Sequence, residues 1–178
     1  MLPRGDLMRP FMIITDSLIE IPPKIQTRNV VRAVAIKDKQ ILLMFSEQDK
    51  MYGTPGGGVI LDEGLLDTLK RELQEETGAI KAKIISHIGN VEEIRESMSV
   101  PGQTIRIISD YYQVEVLEFT TPNLEEYEEE MGLIPMWVGI DEAISTNTAQ
   151  IESADDGKIT FYHTQTEVLK YIKNRFGI

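Results

Sequence analysis

The sequence predicts an α/β fold in which a mixed β-sheet carries helices on its faces. Strand-like apolar runs come before the first helical segment, longer strand-like runs follow it, and helical patterns close the chain. Strands before a helix, then strands, then helices, favour a mixed sheet with helices on its faces. No internal repeat and no long linker divides the 178 residues, so we expect one domain spanning residues 1–178.

Strand-like runs precede the first helix at residues 11–20, 30–36 and 41–45. The first run predicts a strand or one arm of a hairpin, which Pro22 and Pro23 end. The polar residues 37–40 predict a tight turn that joins the other two runs as a hairpin. Residues 1–28 therefore form a short N-terminal arm ahead of the main sheet.

Further strands are predicted after the first helix, at residues 82–91, 105–119 and 135–138. Residues 92–102 are predicted as a loop that can border a site. Asp141 is a suitable N-cap residue for the next helix, and the polar residues 151–158 are expected to be mobile. An apolar stripe at helical spacing predicts a C-terminal helix at about residues 160–176.

The composition excludes several functional classes. A formal net charge of −11 argues against a nucleic-acid surface, because phosphate backbones require basic patches. No apolar run approaches the length of about 18 residues that a membrane span needs. The chain has no cysteine and its start lacks a signal-peptide pattern, so we expect a cytoplasmic protein.

The chemistry is concentrated in residues 57–79, GGVILDEGLLDTLKRELQEETGA. A glycine-rich turn opens this segment, and Gly78 ends its helix. Glu72, Glu75 and Glu76 are related by i,i+3 and i,i+4 steps, so they share an arc of about 100° on the helix. The segment therefore predicts an acidic cluster beside a tight backbone turn.

Such a cluster needs a compensating charge. Like charges at i,i+4 destabilise a helix by about 0.2–0.5 kcal/mol per pair, and acids near its C-terminus oppose the macrodipole. Clustered carboxylates suit hard cations, so we predict Mg²⁺, with Mn²⁺ as a substitute. The forked guanidinium of Arg71 can hold a carboxylate, with Glu63 and Glu75 as the candidates.

An acidic helix is also compatible with a plain solvated face supported by ion pairs. The glycine turn, Glu63 and Gly78 stand in register with the cluster, which favours a functional site over that alternative.

The spacing Gly-x5-Glu-x7-Arg-Glu-Leu-x-Glu-Glu-x-Gly resembles the Nudix box, the motif of the Nudix (MutT-related) hydrolases. The matching positions are Gly57, Glu63, Arg71, Glu72, Leu73, Glu75, Glu76 and Gly78. Ala79 departs from the family pattern, which has a larger aliphatic residue there, and Ile80 is available to fill that space.

The resemblance implies an α/β/α sandwich and Mg²⁺-dependent hydrolysis of a nucleoside diphosphate linked to another group. In such enzymes metal-activated water attacks phosphorus. The resemblance assigns metal binding to Glu75 and Glu76, with Glu72 as a third ligand or helper, and to the Gly57 carbonyl. It assigns to Arg71 and Glu63 the orientation of this cluster.

Family members often use one more acid outside the box as base or extra ligand. Glu115 is one candidate, and the acids of residues 125–130 are others, although a solvated acidic loop also explains that segment. Arg28 and Arg32 are candidates for phosphate binding, with surface ion pairs as the alternative.

The glycine turn, Gly56 to Gly58, is a candidate for backbone contact with the substrate. Tyr52 is a candidate for stacking on a base, against the more usual packing role of strand tyrosines.

The substrate class stays open between a nucleoside triphosphate and a nucleotide sugar such as ADP-ribose. A catalytically silent nucleotide sensor is the competing function, although such proteins usually lose box acids that are present here. RNA binding is disfavoured by the acidic composition. A homodimer is compatible with the sequence, with the N-terminal arm and C-terminal helix as candidate interfaces.

Overall fold

Strands and helices alternate along the chain, of which the computed structural model describes residues 10–97, 100–154 and 160–178. The strands are β1 (Met12–Thr15), β2 (Gln26–Lys37), β3 (Gln40–Ser46), β4 (Met51–Gly53), β5 (Ala79–Glu96), β6 (Thr104–Phe119) and β7 (Leu133–Gly139). The helices are α1 (Leu65–Thr77), α2 (Glu126–Glu130), α3 (Ile140–Ala154) and α4 (Phe161–Phe176). None of the helices in these ranges has the length and apolar character needed to cross a lipid bilayer.

The strands form one mixed sheet in the order β1-β5-β6-β2-β3-β4, and β7 pairs with β3 outside that path. β1 runs parallel to β5 and β2 runs parallel to β6, whereas the other pairs are antiparallel. The parallel pairing of β2 with β6 is continuous from Gln26 to Ala35. It fixes which side chains of the two strands stand side by side.

Helices cover both faces of the sheet. α1 packs on one face, where Leu73 meets Val31 and Ala33 of β2. α3 and α4 pack on the other face, where Leu169 lies in the core that contains Val34. The two cores share β2 because successive side chains of a strand point to opposite faces. The predicted α/β/α sandwich with a mixed sheet is confirmed.

Two predictions for the strands need correction. Residues 11–20 contain only the four-residue β1, which pairs in parallel with β5 and is therefore not an arm of a hairpin. Residues 92–102 are not all loop, because β5 continues to Glu96. Glu92 to Ile94 pair with β1 on one side and β6 on the other, which extends the strand beyond its apolar sequence pattern. Residues 98–99 lie outside the described residues.

The helix boundaries also differ in detail. α3 begins at Ile140, so Asp141 lies inside its first turn rather than at the N-cap. Residues 151–154, predicted as a mobile connection, are the last residues of α3, and residues 155–159 lie outside the described ranges. The C-terminal helix runs from Phe161 to Phe176, close to its predicted limits.

Candidate active site

A glycine turn lies against the edge of β2, where backbone hydrogen bonds hold it. The Val31 N–H donates to the Gly57 carbonyl at 3.0 Å, and the Ala33 N–H donates to the Pro55 carbonyl at 2.9 Å. Gly56 has a φ of +134°, and a Cβ there would overlap the Val31 carbonyl oxygen. Only glycine lets the turn approach β2 this closely.

α1 is anchored in the core on one side and ended by a tight cap. Leu69 and Leu73 are fully buried against β2 and β6. Gly78 ends the helix with a φ of +74°, and its N–H donates to the Gln74 carbonyl at 3.0 Å. A Cβ on Gly78 would overlap the Thr120 carbonyl oxygen, so the predicted glycine cap is also a point of close approach.

The acidic arc of α1 meets the glycine turn through two side chains. The Gly56 N–H donates to Oε2 of Glu76 at 2.6 Å. One helical turn earlier, the Glu72 carboxylate lies so close to Gly57 that a Cβ on Gly57 would overlap it. The two glycines therefore create the space in which both carboxylates face the turn.

Arg71 binds three glutamates at the solvent side of this cluster. Its Nε and Nη2 donate to the two oxygens of Glu63, each at 3.0 Å, and its Nη1 donates to Glu72 and Glu75, each at 2.9 Å. The hydrogen bond from Arg71 lowers the pKa of Glu63, and the same bond raises the pKa of Arg71. The guanidinium is a fixed positive charge among these carboxylates.

The inner carboxylates have the opposite shift in pKa. The pKa of Glu76 is raised to about 8, chiefly by burial; Arg32 and the Gly56 N–H oppose the rise, and Glu128 and Glu72 add to it. Burial likewise raises the pKa of Glu72, although Arg71 opposes that shift. Two carboxyl groups are thus held where the charged form is poorly solvated, a property that clusters at functional sites.

Of the acids predicted outside the box, Glu125 and Glu128 line the cleft and Glu115 does not. Glu115 is exposed on β6 opposite Lys83, beyond the last residue of β6 that pairs with β2, and it does not line the cleft. Glu128 is 2% exposed in α2 and lies near enough to raise the pKa of Glu76. Its Oε2 accepts the Glu125 N–H at 2.7 Å, and its Oε1 accepts the Tyr127 hydroxyl at 3.1 Å.

Both predicted arginines reach the glycine turn. Nη1 of Arg32 donates to the Thr54 and Gly56 carbonyls at 3.0 and 2.6 Å, and its guanidinium lies 4.9 Å from the centre of the Phe161 ring. Arg28 lies over Gly58, where a Cβ would stand 2.8 Å from its Nη2. Arg32 thus links the turn to Thr54 at the end of β4, and Arg28 places a cation beside the turn.

A buried glutamine in α4 supports the turn from the other side. Oε1 of Gln165 accepts the Thr54 N–H at 2.8 Å and the Thr54 hydroxyl at 2.6 Å, and its Nε2 donates to the Tyr111 hydroxyl at 3.0 Å. Asn147 of α3 binds the backbone of Tyr52 in the same way, at 2.7 and 2.9 Å. Sequence reasoning missed both amides, and no motif marks them.

A cleft of about 410 Å³ lies between the acidic cluster, the glycine turn and α4. The structure brings together in its lining several predicted site residues: Arg28, Arg32, Gly56, Gly57, Gly58, Arg71, Glu72 and Glu76. Glu63 and Glu75 join through Arg71. Tyr52 does not line the cleft; it is buried in the core with its ring 4.9 Å from Phe45.

Within the described residues, no three acidic or histidine side chains are arranged to hold a metal ion. Arg71 accounts for this at Glu72 and Glu75, because its Nη1 binds one oxygen of each and takes the position between them. The Gly57 carbonyl, for its part, accepts the Val31 N–H and has one lone pair left.

Comparison with known proteins gives the family. The family model described as NUDIX domain matches residues 26–162. A NUDIX hydrolase from Nitrosomonas europaea is 18% identical and superposes with a TM-score of 0.56 over 83% of this chain and 90% of its own. A UDP-X diphosphatase is 16% identical with a TM-score of 0.51, over 87% of this chain and 66% of its own.

An ADP-ribose pyrophosphatase from Streptococcus suis is 18% identical with a TM-score of 0.45, over 64% of this chain and 75% of its own. Among curated protein sequences no relative matches. The two superpositions above 0.5 agree with the fold described here, and the family match covers the turn, the box helix and Glu128. The chain belongs to the Nudix family of hydrolases.

Proposed function

We propose that the protein hydrolyses the diphosphate linkage of a nucleoside diphosphate derivative with the help of Mg²⁺. The observation that carries this proposal is the buried carboxylate of Glu76. It faces the glycine turn beside Glu72, inside a cleft that also presents Arg28 and Arg32. Buried acid and exposed cation in one cleft suit a ligand that combines divalent metal with phosphate.

The residues present fit a hard divalent cation. Glu76 is 6% exposed and its pKa is raised to about 8, so its charged form lacks a compensating charge that Mg²⁺ would supply. The Gly56 N–H binds one oxygen of Glu76, and Arg71 binds one oxygen of Glu72 and one of Glu75. Among the described residues, none donates a hydrogen bond to the second oxygen of these carboxylates. These three carboxylates would hold the ion once their side chains turn towards it, with the Gly57 carbonyl as a backbone ligand.

When bound, Mg²⁺ would neutralise phosphate charge and acidify water for attack on phosphorus. Arg71 and Glu63 set the orientation of Glu72 and Glu75 through their shared hydrogen bonds. Glu128 is the acid outside the box that we propose as base or further ligand, in place of Glu115. Its burial close to Glu76 supports that role.

Phosphate groups are bound by the cationic side of the same cleft. Arg28 has no ion-pair partner among the described residues and lies against Gly58, so its guanidinium is available to a phosphate oxygen. Arg32 holds the Thr54 and Gly56 carbonyls, which fixes the position of the turn beside the proposed phosphate site. Tyr52 has no part in this proposal because it is buried in the core.

A product assay on matched substrates tests the proposal. ATP, ADP-ribose and a dinucleoside tetraphosphate are incubated with Mg²⁺, and the nucleotide products are resolved by chromatography. The wild type should release a nucleoside monophosphate or diphosphate from at least one of them. Glu76→Gln should be inactive, and Glu118→Gln, an exposed acid on β6, should match the wild type. Nucleotide binding without turnover by any of the three proteins would instead support the sensor function.

A further inference from the structure

The cleft extends along β2 on both sides of the glycine turn. Arg28, Val30 and Arg32 alternate along β2 and all line it. Gly58 bridges to Val30, so the turn lies midway between the two arginines. At about 3.3 Å per residue, Arg28 and Arg32 are about 13 Å apart along the strand. A molecule bound at the turn therefore has an arm of the cleft in each direction.

Apolar and aromatic side chains form part of the arm beyond Arg32, next to Thr54 and Gln165. Phe161 lies under the Arg32 guanidinium and against Gly53, where a Cβ would stand 2.9 Å from its ring. Gly53 pairs with Met44, and Leu133 also lines the cleft. Side chains of this kind suit the flat apolar face of a nucleobase.

The arm beyond Arg28 has the opposite chemistry. In the register of the sheet, Arg28 stands beside Ile107 of β6, and Ile107 stands beside Glu93 of β5. Glu93 and Arg95 point to the same face of β5, form an ion pair through Oε1 and Nε, and line the cleft. They are 3% and 6% exposed.

A buried ion pair is a poor device for stability, because the loss of hydration offsets most of the attraction between the charges. This pair also keeps hydrogen-bonding capacity. Arg95 Nη1 donates to the Glu96 carbonyl at 2.9 Å, while no residue in the described ranges hydrogen-bonds Oε2 of Glu93 or Nη2 of Arg95. One acceptor and one donor are therefore left at the wall of the cleft.

We propose that Glu93 and Arg95 are specificity-determining residues that bind a sugar on the far side of the diphosphate, which makes a nucleotide sugar the substrate class. This inference rests on the proposed function. Each sugar hydroxyl both donates and accepts, so vicinal hydroxyls match an acceptor and a donor held side by side. A terminal phosphate, as in a triphosphate, is largely deprotonated at neutral pH, so it is a poor donor to Glu93 and is repelled by its charge.

ADP-ribose and ATP test this inference because they differ only in the group beyond the diphosphate. The variant pair Glu93→Leu and Arg95→Met, made together, removes both charges and leaves no unpaired ion in the wall. We expect kcat/KM for ADP-ribose relative to ATP to fall at least about tenfold, through loss of hydrogen bonds to charged groups. The free energy of unfolding should stay level or rise.

A control pair is available on the opposite face of the sheet, between β5 and β6. Glu92 and Arg106 form an ion pair at 3.1 Å and do not line the cleft. The double variant Glu92→Leu and Arg106→Met should leave the ratio of the two substrates unchanged. An equal loss for both substrates in the Glu93 and Arg95 variant, with a lower melting temperature, would assign that pair a structural role and overturn the inference.

A binding measurement separates this inference from the proposed function. Ribose 5-phosphate and AMP are titrated calorimetrically into wild type and the Glu93 and Arg95 variant without metal. Affinity for ribose 5-phosphate should fall at least about tenfold in the variant, with AMP unaffected. A wild type that binds ribose 5-phosphate and has no turnover would contradict only the hydrolase. No ribose 5-phosphate binding, or a loss confined to AMP, would overturn the sugar site.

Discussion

The two sides of the acidic cluster are alike in sequence and opposite in environment. On the solvent side, Arg71 binds Glu63 and Glu75 and lowers the pKa of Glu63. On the inner side, Glu76 is buried and its pKa is raised to about 8. Glu75 and Glu76 are neighbours in the chain, yet only Glu75 accepts a hydrogen bond from an arginine.

The difference in pKa separates the carboxylates of the cluster into two groups. Arg71 offsets part of the charge of the outer carboxylates, and its hydrogen bonds fix their positions. Glu76 has a backbone N–H as its hydrogen-bond donor, and the positive charge of Arg32 does not overcome its burial. The unmet charge on the inner side is what a divalent ion would stabilise.

Removal of the inner charge should have the largest effect. Glu76→Gln keeps the acceptor for the Gly56 N–H but removes the negative charge. Because loss of a metal ligand removes several kcal/mol of transition-state stabilisation, we expect kcat/KM to fall by at least about 10²-fold. Steady-state kinetics at saturating Mg²⁺, with Glu118→Gln as the control, measure this. Activity within threefold of the wild type would show that Glu76 is not a ligand.

Loss of the outer arginine should have the next largest effect. Arg71→Lys keeps the positive charge, but a single ammonium group cannot bind both oxygens of Glu63 while it also binds Glu72 and Glu75. Groups that orient metal ligands typically contribute about 10–100-fold, so we expect the concentration of Mg²⁺ for half-maximal activity to rise by that factor. Lys70→Arg, on the exposed side of α1, is the control. An unchanged requirement for Mg²⁺ would contradict the orienting role.

The two sides also predict opposite effects of pH on stability in the absence of metal. Between the ordinary pKa of 4.5 and the raised value of about 8, Glu76 retains its proton in the folded state and loses it in the unfolded state. The folded state then binds more protons, so the free energy of unfolding falls as pH rises. Glu72 and Asp110, whose pKa values burial also raises, add the same sign. Glu63, with its lowered pKa, contributes stability that is lost as pH falls.

Thermal unfolding at pH 5 and pH 8, without metal, measures this dependence. The melting temperature should fall towards pH 8, and Glu76→Gln should reduce the fall and raise the melting temperature at pH 8 by several degrees. Mg²⁺ should restore the wild type at pH 8. If Glu76→Gln instead lowers the melting temperature at pH 8, the carboxylate is stabilising in its charged form and the comparison fails.

The sequence predicted the parts of the fold and site that local spacing determines. The register of Gly57, Arg71 and Gly78 depends on helix geometry and glycine conformations, so it could be read without a structure. The order of strands and helices predicted a mixed sheet with helices on its faces, and the resemblance to the Nudix family implied the α/β/α sandwich. The strand over residues 92–96 was missed because pairing with β1 and β6, not its own apolar pattern, extends β5 there.

What the sequence could not supply were contacts between distant elements. Glu115 and Glu128 were equivalent acids in the sequence, and only the sheet register and the position of α2 bring Glu128 to Glu76. Glu93 and Arg95 lie in a segment predicted as loop, and a loop gives no reason to expect the two side chains on one face. Charged residues are usually exposed, so the sequence pattern gives no reason to expect this pair to be buried.

The support of the glycine turn by α4 leads to the smallest expected effect. Gln165→Leu removes the acceptor for the Thr54 N–H and hydroxyl and leaves the Tyr111 hydroxyl without its donor. Buried polar groups left unpaired cost about 1–3 kcal/mol, which lowers the melting temperature by about 2–4 °C per kcal/mol in a chain of this size. Because the Thr54 carbonyl shares Nη1 of Arg32 with Gly56, a shift of Thr54 should also reach the turn.

Kinetics can tell these two consequences apart. If Gln165 positions the turn, Gln165→Leu should have a lower kcat than the wild type at temperatures where both proteins are folded. Gln165→Glu, which retains the acceptor, should recover part of the lost kcat. The control Gln150→Leu lies on an exposed position of α3 and should change neither property. A lower melting temperature with an unchanged kcat would confine Gln165 to packing, and the inner side of the cluster would then depend on Arg32 and the backbone alone.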